Sequence, residues 1–277
     1  MKSPKQFELL INIGGAIAGL GVIGYIAYAA LHKDVEQPCS ARYPAATRFS
    51  LHNSEGKPLS AIALQARAGL HDLGVIDNAS VVPSQGGPAE DVLEVKLRPL
   101  PAGADQEGSA HNGIEFRWSP PGMKPATAAC LGYSVLLPDK FAFGSGGVLP
   151  GVFGGAGGGS RDSAAGMSVA PEWELDGRPL IASVAAGSIG RVSGNTSALP
   201  TGRWVRVEQE VVLNEAGKEN GQTSLWIDGQ LVLDSRRVLL RKDAGETLSG
   251  VLVAAGYHGK PPEGSSLQLS PFEISWR

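Results

Sequence analysis

The stretch Gly256–Lys260, which reads GYHGK, places a phenol, an imidazole and an ammonium group within four consecutive positions. An imidazole titrates near neutral pH and can give or take a proton, while an ammonium group can hold an acidic group of a ligand. Tyr257, His258 and Lys260 are therefore candidate catalytic and ligand-binding residues. A histidine in a glycine loop is more often structural, so the sequence leaves both interpretations open.

A second set of polar side chains alternates along a predicted strand over residues 167–175. With a period of two residues, Ser168, Glu172 and Glu174 share one face of this strand. The two carboxylates can accept hydrogen bonds from hydroxyl groups of a ligand, and they would repel an anionic polymer. An ordinary solvated strand face is the alternative interpretation.

Composition excludes several other kinds of chemistry. The 277 residues carry a formal net charge of −3, so the chain lacks the excess of positive charge that is typical of a nucleic-acid-binding protein. No Ser-His-Asp order, phosphate-binding glycine motif or metal-ligand spacing is present, and we predict no cofactor and no metal. Hydrophobic residues make up 42% of the chain, which is enough for a sizeable core.

The N-terminal part contains an apolar run over residues 9–31 without a charged residue. At about 1.5 Å per residue this run can cross a hydrocarbon layer of about 30 Å. We predict a single transmembrane helix that follows a cytoplasmic stub at residues 1–8. Lys2 and Lys5 precede the helix, so the rest of the chain is expected in the periplasm, anchored to a bacterial inner membrane. A cleaved signal peptide is the alternative, because residues 27–29 read Ala-Tyr-Ala.

Within this helix, Gly15 and Gly19 form a GxxxG motif, which lets a second helix approach closely. A membrane-embedded glycan synthase or export subunit is the partner that this motif suggests. Glycine is common in membrane helices, which is the alternative explanation.

Outside the membrane, Cys39 and Cys130 are the two cysteines of the chain, and an oxidising periplasm favours one disulfide between them over two buried thiols.

The remainder of the chain predicts two packed antiparallel sheets. Short apolar runs alternate with polar residues and are separated by glycine and proline turns, as in strands with one buried face. Asp228-Gly229 between two such runs predicts a hairpin with a type I′ turn. The predicted strands cover residues 93–97, 114–118, 131–137, 167–175, 180–184, 205–213, 251–255 and 267–276, with the hairpin at 224–233.

The segment 32–88 is less regularly patterned. We interpret it as a juxtamembrane connecting segment with one strand of its own and one short helix over residues 60–73. The Gly- and Pro-rich run at 83–88 ends this segment, and residues 89–277 form the predicted sandwich domain.

Four motifs in order resemble the β-jelly-roll polysaccharide lyases of family 14. They are LGYSVLLPDKFAF at residues 131–143, GGVLPGVFGG at 146–155, the strand at 202–217 and LWIDG at 225–229. The resemblance covers residues 90–277. It implies an all-β, concanavalin-like jelly-roll sandwich with a polysaccharide-binding groove, and it implies that Gly146, Gly147, Val148, Pro150 and Gly151 form a tight loop at the rim of that groove.

The sequence departs from the family at the positions that carry its chemistry. In the family the glycine-rich motif typically reads GGKLPGLxGG, and Val148 occupies the place of the lysine. The family's Ser-x-Arg falls on residues 168–170, where Ala170 replaces the arginine. Its Tyr-x-Tyr falls on residues 182–184, where Ala182 and Val184 replace the phenols. The resemblance therefore implies a lyase-like fold without the lysine, the arginine and both tyrosines.

These departures favour a non-catalytic accessory subunit of exopolysaccharide synthesis or export that binds a polysaccharide. The alternative is an active lyase or hydrolase that uses Tyr257, His258, Lys260 and Glu172 instead. Tyr257 would stack on a sugar ring, and Arg241 matches a family arginine for which a structural salt bridge is the other interpretation. The candidate polysaccharide-binding residues are Ser168, Glu172, Arg241, Tyr257, His258 and Lys260.

Overall fold

A computed structural model describes residues 37–43, 45–68, 72–98, 112–155, 166–259, 261–262 and 265–277. The residues from Pro38 to Arg277 form one compact unit. The predicted stub, the helix at 9–31 with its Gly15–Gly19 motif, and Lys260 lie outside the described residues. Within the described ranges, no helix is both long and apolar enough to cross a membrane.

The described chain is almost entirely β-structure. A 3₁₀ turn at Cys39–Ala41 and two short helices, α1 (Ala61–Ala68) and α2 (Val75–Asn78), are its helical elements. The strands are β1 (Thr47–Arg48), β2 (Ala79–Pro83), β3 (Asp91–Leu97), β4 (Ile114–Trp118), β5 (Ala128–Leu136), β6 (Gly147–Val148), β7 (Gly151–Gly155), β8 (Gly166–Trp173), β9 (Pro179–Ala185), β10 (Ser188–Ser193), β11 (Trp204–Val212), β12 (Gly221–Ile227), β13 (Gln230–Val238), β14 (Leu248–Tyr257), β15 (Ser265–Leu269) and β16 (Glu273–Trp276).

These strands form two antiparallel sheets, which confirms the predicted all-β sandwich and is consistent with a jelly roll. The nine-stranded sheet has the order β13-β12-β11-β5-β15-β3-β2, with β16 joining β5 to β1. The seven-stranded sheet has the order β10-β9-β8-β6-β14-β4, and β7 continues the place of β6 between β8 and β14. The two edge strands β13 and β10 lie on the same side of the sandwich.

Alternation of apolar and polar residues explains how the core forms. Val205, Val207 and Val211 of β11 enter the core together with the polar Gln209, while Arg206, Glu208 and Glu210 face outward. In the β12–β13 hairpin, Asp228 (φ +50°) and Gly229 (φ +78°) are the two loop residues. Both have positive φ, as a type I′ turn requires, so the predicted hairpin is confirmed.

Two predictions about the chain's organisation are corrected. The described part of the predicted connector, residues 45–68 and 72–88, belongs to the sandwich, because β1 and β2 pair within the nine-stranded sheet and Phe49, Leu51 and Leu64 are core residues. The predicted strand 267–276 is two strands, β15 and β16, since the chain breaks at Ser270–Phe272 and cannot keep its ladder through Pro271. The short helix predicted near residue 60 is present as α1.

The predicted disulfide joins Cys39 to Cys130 of β5. Next to it, Ser40 donates two hydrogen bonds of 3.1 Å to Glu208, from its backbone N–H and its hydroxyl. Arg42 forms a 2.6 Å ion pair with Glu210. The start of the compact unit is thus fastened to the outer face of the nine-stranded sheet. The two sulfurs and Glu208 also lie close together, but both sulfurs are consumed by the disulfide and cannot hold a metal.

Two polar side chains cross the core and join the sheets. The Tyr133 hydroxyl donates a 3.0 Å hydrogen bond to the carbonyl oxygen of Pro150, and Gln209 Nε2 donates a 3.1 Å hydrogen bond to the carbonyl oxygen of Val169. Both donors belong to the nine-stranded sheet. The acceptor Val169 lies in β8 of the seven-stranded sheet, and the acceptor Pro150 lies between its strands β6 and β7. Burial raises the pKa of the Tyr133 phenol, because the phenolate would be desolvated.

Candidate functional site

The candidate site lies on the face of the seven-stranded sheet that points away from the core. In β8, Met167, Val169 and Trp173 enter the core. Ser168, Ala170 and Glu172 alternate with them and therefore occupy the opposite face. The predicted parity of this strand is correct.

Cross-strand register brings the residues identified from the family motifs onto this same face. Glu172 pairs with Val148 of β6, and Ala170 and Ser168 pair with Ala182 and Val184 of β9. Directly opposed residues of antiparallel strands point to the same side of a sheet. We call this surface the site face; it comprises Val148, Ser168, Ala170, Glu172, Ala182 and Val184.

The centre of the site face is apolar. Val148, Phe153, Ala170, Leu252 and Ala254 form a hydrophobic cluster that is separate from the sandwich core, and each is at most 5% exposed. These side chains have no group that can give or take a proton or neutralise a charge. The centre of the face therefore offers no acid–base chemistry.

The glycine-rich motif is part of this sheet and not a loop at its rim, which corrects the prediction. A Cβ atom on Gly147 would lie 2.2 Å from Trp173 Cζ2, and one on Gly151 would lie 2.3 Å from the carbonyl oxygen of Val169. Gly146 has a φ of +84°. The glycines are required because β6 and β7 are packed tightly between β8 and β14.

Pro150 lies in the break between β6 and β7, where the chain leaves the ladder. Its carbonyl oxygen points into the core and accepts the hydrogen bond from Tyr133. Leu149 is buried, and its N–H donates to the carbonyl oxygen of Pro171 at 2.9 Å. The break turns the motif so that Leu149 enters the core while Val148 stays on the site face.

A charged group lies at one end of the site face. The carboxylate of Glu172 is 2% exposed, and its Oε2 is 3.0 Å from Nε2 of His258. Nη2 of Arg191, on β10, is 4.0 Å from the same oxygen. The buried carboxylate therefore has two basic side chains around it, and both of these are more exposed than the carboxylate.

The second carboxylate predicted on this face is placed differently. Glu174 lies in the turn after β8 and forms a 3.3 Å ion pair with Arg178. Glu172 and Glu174 therefore each have a basic side chain close to the carboxylate. On the other side of the face, Arg117 of β4 lies over the Phe153 ring at 5.8 Å.

Tyr257 is not a site residue, which corrects the predicted sugar-stacking and catalytic roles. It alternates with the site face along β14, stacks on Phe141 and makes an edge contact with Trp173. Its hydroxyl donates to the carbonyl oxygen of Ala142. Burial raises the pKa of its phenol. The ring thus closes one end of the core.

The three tyrosines that the structure describes all lie away from the site face. Tyr133 and Tyr257 are in the core. Tyr43 packs on the outer side of the nine-stranded sheet, where the guanidinium of Arg277 lies 4.9 Å from its ring centroid. Its pKa is raised by burial and by the nearby Glu210.

Arg241 is also away from the site face, so its predicted contact with polysaccharide is corrected. Its guanidinium donates to three backbone carbonyl oxygens, those of Asn214 (2.7 Å), Glu246 (3.0 Å) and Ala244 (3.3 Å). The residue holds two loops together through backbone groups and forms no ion pair with any described carboxylate.

Arg191 was not identified from the sequence. It is placed on the site face by a hairpin in which Ala186 (φ +53°) and Gly187 (φ +76°) connect β9 to β10. The signal was present: residues 188–193 read SIGRVS, an alternating run after a turn containing glycine.

Comparison with known proteins identifies the family. The family profile described as polysaccharide lyase 14 matches residues 88–181 and 180–266. Among solved structures, the PL-14 alginate lyase from Aplysia kurodai is 19% identical, covers 84% of this chain and 100% of its own, and has a TM-score of 0.67.

Two further structures share the fold. The alginate lyase vAL-1 from Chlorella virus is 15% identical, with a TM-score of 0.65 over 84% of this chain and 100% of its own. The endo-β-1,4-glucuronan lyase from Trichoderma reesei is 14% identical, with a TM-score of 0.53 over 76% of this chain and 90% of its own. The comparison with curated protein sequences found no match. Since the family profile covers more than half of the sequence, the chain belongs to polysaccharide lyase family 14.

Proposed function

We propose that this protein is a membrane-anchored periplasmic accessory subunit that binds a polysaccharide on the site face and does not cleave it. The observation that carries the proposal is the set of aliphatic side chains on that face. Val148, Ala170, Ala182 and Val184 occupy the places where the family resemblance implies lysine, arginine and two tyrosines.

The chemistry of elimination explains why these replacements support a non-catalytic role. A lyase that cleaves a uronic-acid chain neutralises the carboxylate, removes the proton from the neighbouring carbon and protonates the leaving oxygen. Aliphatic side chains supply none of these functions. Since the described tyrosines lie elsewhere, no phenol reaches the site face from a neighbouring strand.

The site face retains the means to bind a sugar. His258 and Arg191, which are both more exposed than Glu172, can donate hydrogen bonds to hydroxyl or acidic groups at one end of the face. Glu172 would hold these two side chains in place, since both approach the same carboxylate oxygen. The solved relatives are lyases of alginate and of glucuronan, which supports a polysaccharide as the ligand.

The test uses the full-length protein in detergent with alginate, glucuronan and a neutral β-glucan. We expect binding of at least one polymer and no formation of unsaturated ends or new reducing ends. A variant with Val148→Lys, Ala170→Arg, Ala182→Tyr and Val184→Tyr is expected to gain the absorbance of unsaturated sugar ends. Cleavage by the unmodified protein would overturn the non-catalytic proposal.

A second candidate function is favoured by the 3.0 Å contact between His258 and Glu172. A histidine oriented by a buried carboxylate can act as a general base or acid, and this pair could replace the family's residues in a lyase or hydrolase. Activity that is lost in His258→Ala and kept in His52→Ala would support it. His52 is a suitable control, since it also contacts a carboxylate, that of Asp91 at 2.6 Å, but lies at the edge of the other sheet.

The membrane anchor belongs to the proposal because the apolar run at residues 9–31 is long enough to span a bilayer. Gly15 and Gly19 would seat this helix against a glycan synthase or export subunit. Cell fractionation tests the anchor. Recovery of partners with the unmodified protein and with a Gly15→Leu/Gly19→Leu variant tests the helix contact, and equal recovery would remove the helix from the proposal.

A further inference from the structure

The sandwich is open along the side where its two edge strands meet. β13 ends the nine-stranded sheet and β10 ends the seven-stranded sheet, and these two strands approach each other without forming a ladder. Two cavities follow one another along this side. We call them together the lateral cleft; it is bounded by β13 on one side and by β10 and residues 194–200 on the other.

Both cavities have the size of a small-molecule site, which is usually about 300–1,000 Å³. The first measures about 470 Å³ and is lined by polar groups such as Asn195, Ser197 and Gln230 beside apolar Leu231 and Pro200. The second measures about 380 Å³, and its lining includes Ser183, Ser188, Arg191, Glu219, Ser235 and Arg237. A mixed lining of hydroxyl, amide and apolar groups matches the two kinds of surface that a sugar presents.

The second cavity has polar residues where a sandwich normally has apolar ones. Along β9, Ile181 and Ala185 enter the core, so Ser183 between them also points inward. Along β13, Leu233 enters the core, and Ser235 follows on the same side of the strand. Polar groups are costly in a dry core, so these positions are suited to a solvated or ligand-filled space.

One basic side chain of the cleft is available to bind an anionic ligand. Arg237 is exposed, lines the second cavity and forms no ion pair with any described residue. Its neighbour Arg236 pairs with Asp234 at 3.0 Å, and Arg203 in the first cavity pairs with Asp228 at 2.7 Å. Arg237 is therefore a cation of the cleft that forms no ion pair with a described residue, although the carboxylate of Glu219 lines the same cavity.

The cleft and the site face have one residue in common, Arg191. Arg191 contributes to the lining of the second cavity, and its guanidinium lies 4.0 Å from Glu172 on the site face. From Leu231 in the first cavity to Arg237 in the second, β13 advances by six residues, or roughly 20 Å at the rise of a strand. This length suits a segment of a linear polymer better than a single sugar.

We propose that the lateral cleft is a second glycan site that takes an acidic segment of a polysaccharide, with Arg237 contacting the carboxylate of an acidic sugar. The inference rests on the proposed polysaccharide-binding function and extends it from the site face around β10. Hydroxyl and amide groups of the cleft bond the sugar hydroxyls. No bond of the polymer is made or broken.

A different explanation of Arg237 is protection of an exposed sheet edge, since inward-pointing charges discourage pairing between molecules. The two explanations predict different results for the same substitution. Loss of edge protection would produce dimers or aggregates without a change in glycan affinity. Loss of a ligand contact would weaken binding while the protein stays monodisperse.

The experiment measures binding of an alginate tetrasaccharide and of neutral cellotetraose by titration calorimetry. It compares the full-length protein with Arg237→Gln and Arg236→Gln. We expect Arg237→Gln to bind the acidic tetrasaccharide at least fivefold more weakly and to leave cellotetraose binding unchanged. Arg236→Gln is the matched control, since this neighbour already has an acidic partner, and its affinity should match the unmodified protein. Thermal melts and light scattering report folding and association.

Equal affinity in Arg237→Gln and the unmodified protein would overturn the cleft proposal and leave binding at the site face intact. An equal loss of affinity for the acidic tetrasaccharide in Arg237→Gln and Arg236→Gln would also overturn it, because a general effect of removing positive charge would then explain the result. If the unmodified protein binds neither tetrasaccharide and no polymer, the proposed function itself fails and the cleft proposal fails with it.

Discussion

Removing one hydroxyl from Tyr133 tests how the two sheets are held together. In Tyr133→Phe the ring still fills its place in the core and keeps its edge contact with Phe272, whose centroid is 5.9 Å away. What is lost is the 3.0 Å hydrogen bond to the carbonyl oxygen of Pro150. That oxygen then remains in a buried region without the donor that it has in the native protein.

The expected cost follows from this burial. A buried polar group that loses its partner destabilises a protein by about 1–3 kcal/mol. For a unit of this size, each kcal/mol lowers the melting temperature by about 2–4 °C. We therefore expect Tyr133→Phe to melt about 2–12 °C below the unmodified protein. A matched control is Tyr257→Phe, whose hydroxyl lies nearer the surface and bonds the carbonyl of Ala142, which water can reach once the hydroxyl is gone.

The second bond across the core should respond differently. Gln209 donates to Val169 through Nε2, but its Oε1 is buried and has no hydrogen-bond partner among the described residues. Gln209→Leu removes one favourable bond and one unpaired acceptor together, so we expect a change of only about 1 kcal/mol in either direction. Tyr133→Phe should therefore have the lowest free energy of unfolding, and Tyr257→Phe and Gln209→Leu should be close to the unmodified protein.

Urea unfolding followed by tryptophan fluorescence measures these differences, with thermal melts as a second readout. The reasoning is refuted if Tyr133→Phe is no less stable than Tyr257→Phe. It is also refuted if Gln209→Leu costs as much as Tyr133→Phe, because the unpaired oxygen would then have no influence.

Three further predictions concern the disulfide, pH and Arg241. The Cys39–Cys130 bond spans 91 residues, and Cys39→Ser/Cys130→Ser should lower the free energy of unfolding by roughly 4–5 kcal/mol; a loss below about 1 kcal/mol in urea would contradict this. Burial raises the pKa of Tyr133 and of Tyr257. The two neutral phenols therefore contribute fully to stability below the pKa of an unfolded tyrosine, about 10, and this contribution is lost as the pH rises above that value. Urea unfolding at stepped alkaline pH, together with phenolate absorbance, measures the loss. Arg241→Ala should cost about 1–3 kcal/mol and leave glycan binding unchanged, and a selective loss of binding would return Arg241 to the site.

Alternation and turn chemistry were sufficient to predict most of the sandwich. The prediction of which β8 side chains face the core is correct because Val169 and Trp173 are large and apolar, while Ser168 and Glu172 are polar. The Asp228–Gly229 turn was predictable because only a few residue pairs accept two positive φ angles in succession.

The remaining features depend on contacts between distant parts of the chain. Tyr257 has the same residue type whether it faces a ligand or the core, and only its packing on Phe141 and Trp173 decides. The role of the glycines at 146–151 depends on how closely β8 and β14 approach β6, and that distance is not visible in a local pattern. The lateral cleft requires β10 and β13, which are far apart in sequence, to be adjacent.

The position of the disulfide has a mechanical consequence. A pulling force on the chain before Cys39 is transmitted through the bond to Cys130, so residues 40–129 form a closed loop that bears no load. β5 lies in the interior of its sheet, with β11 on one side and β15 and β16 on the other. To unravel the protein from this end, the force must shear a central strand from both sides at once, whereas without the bond it would peel off the short strand β1 first.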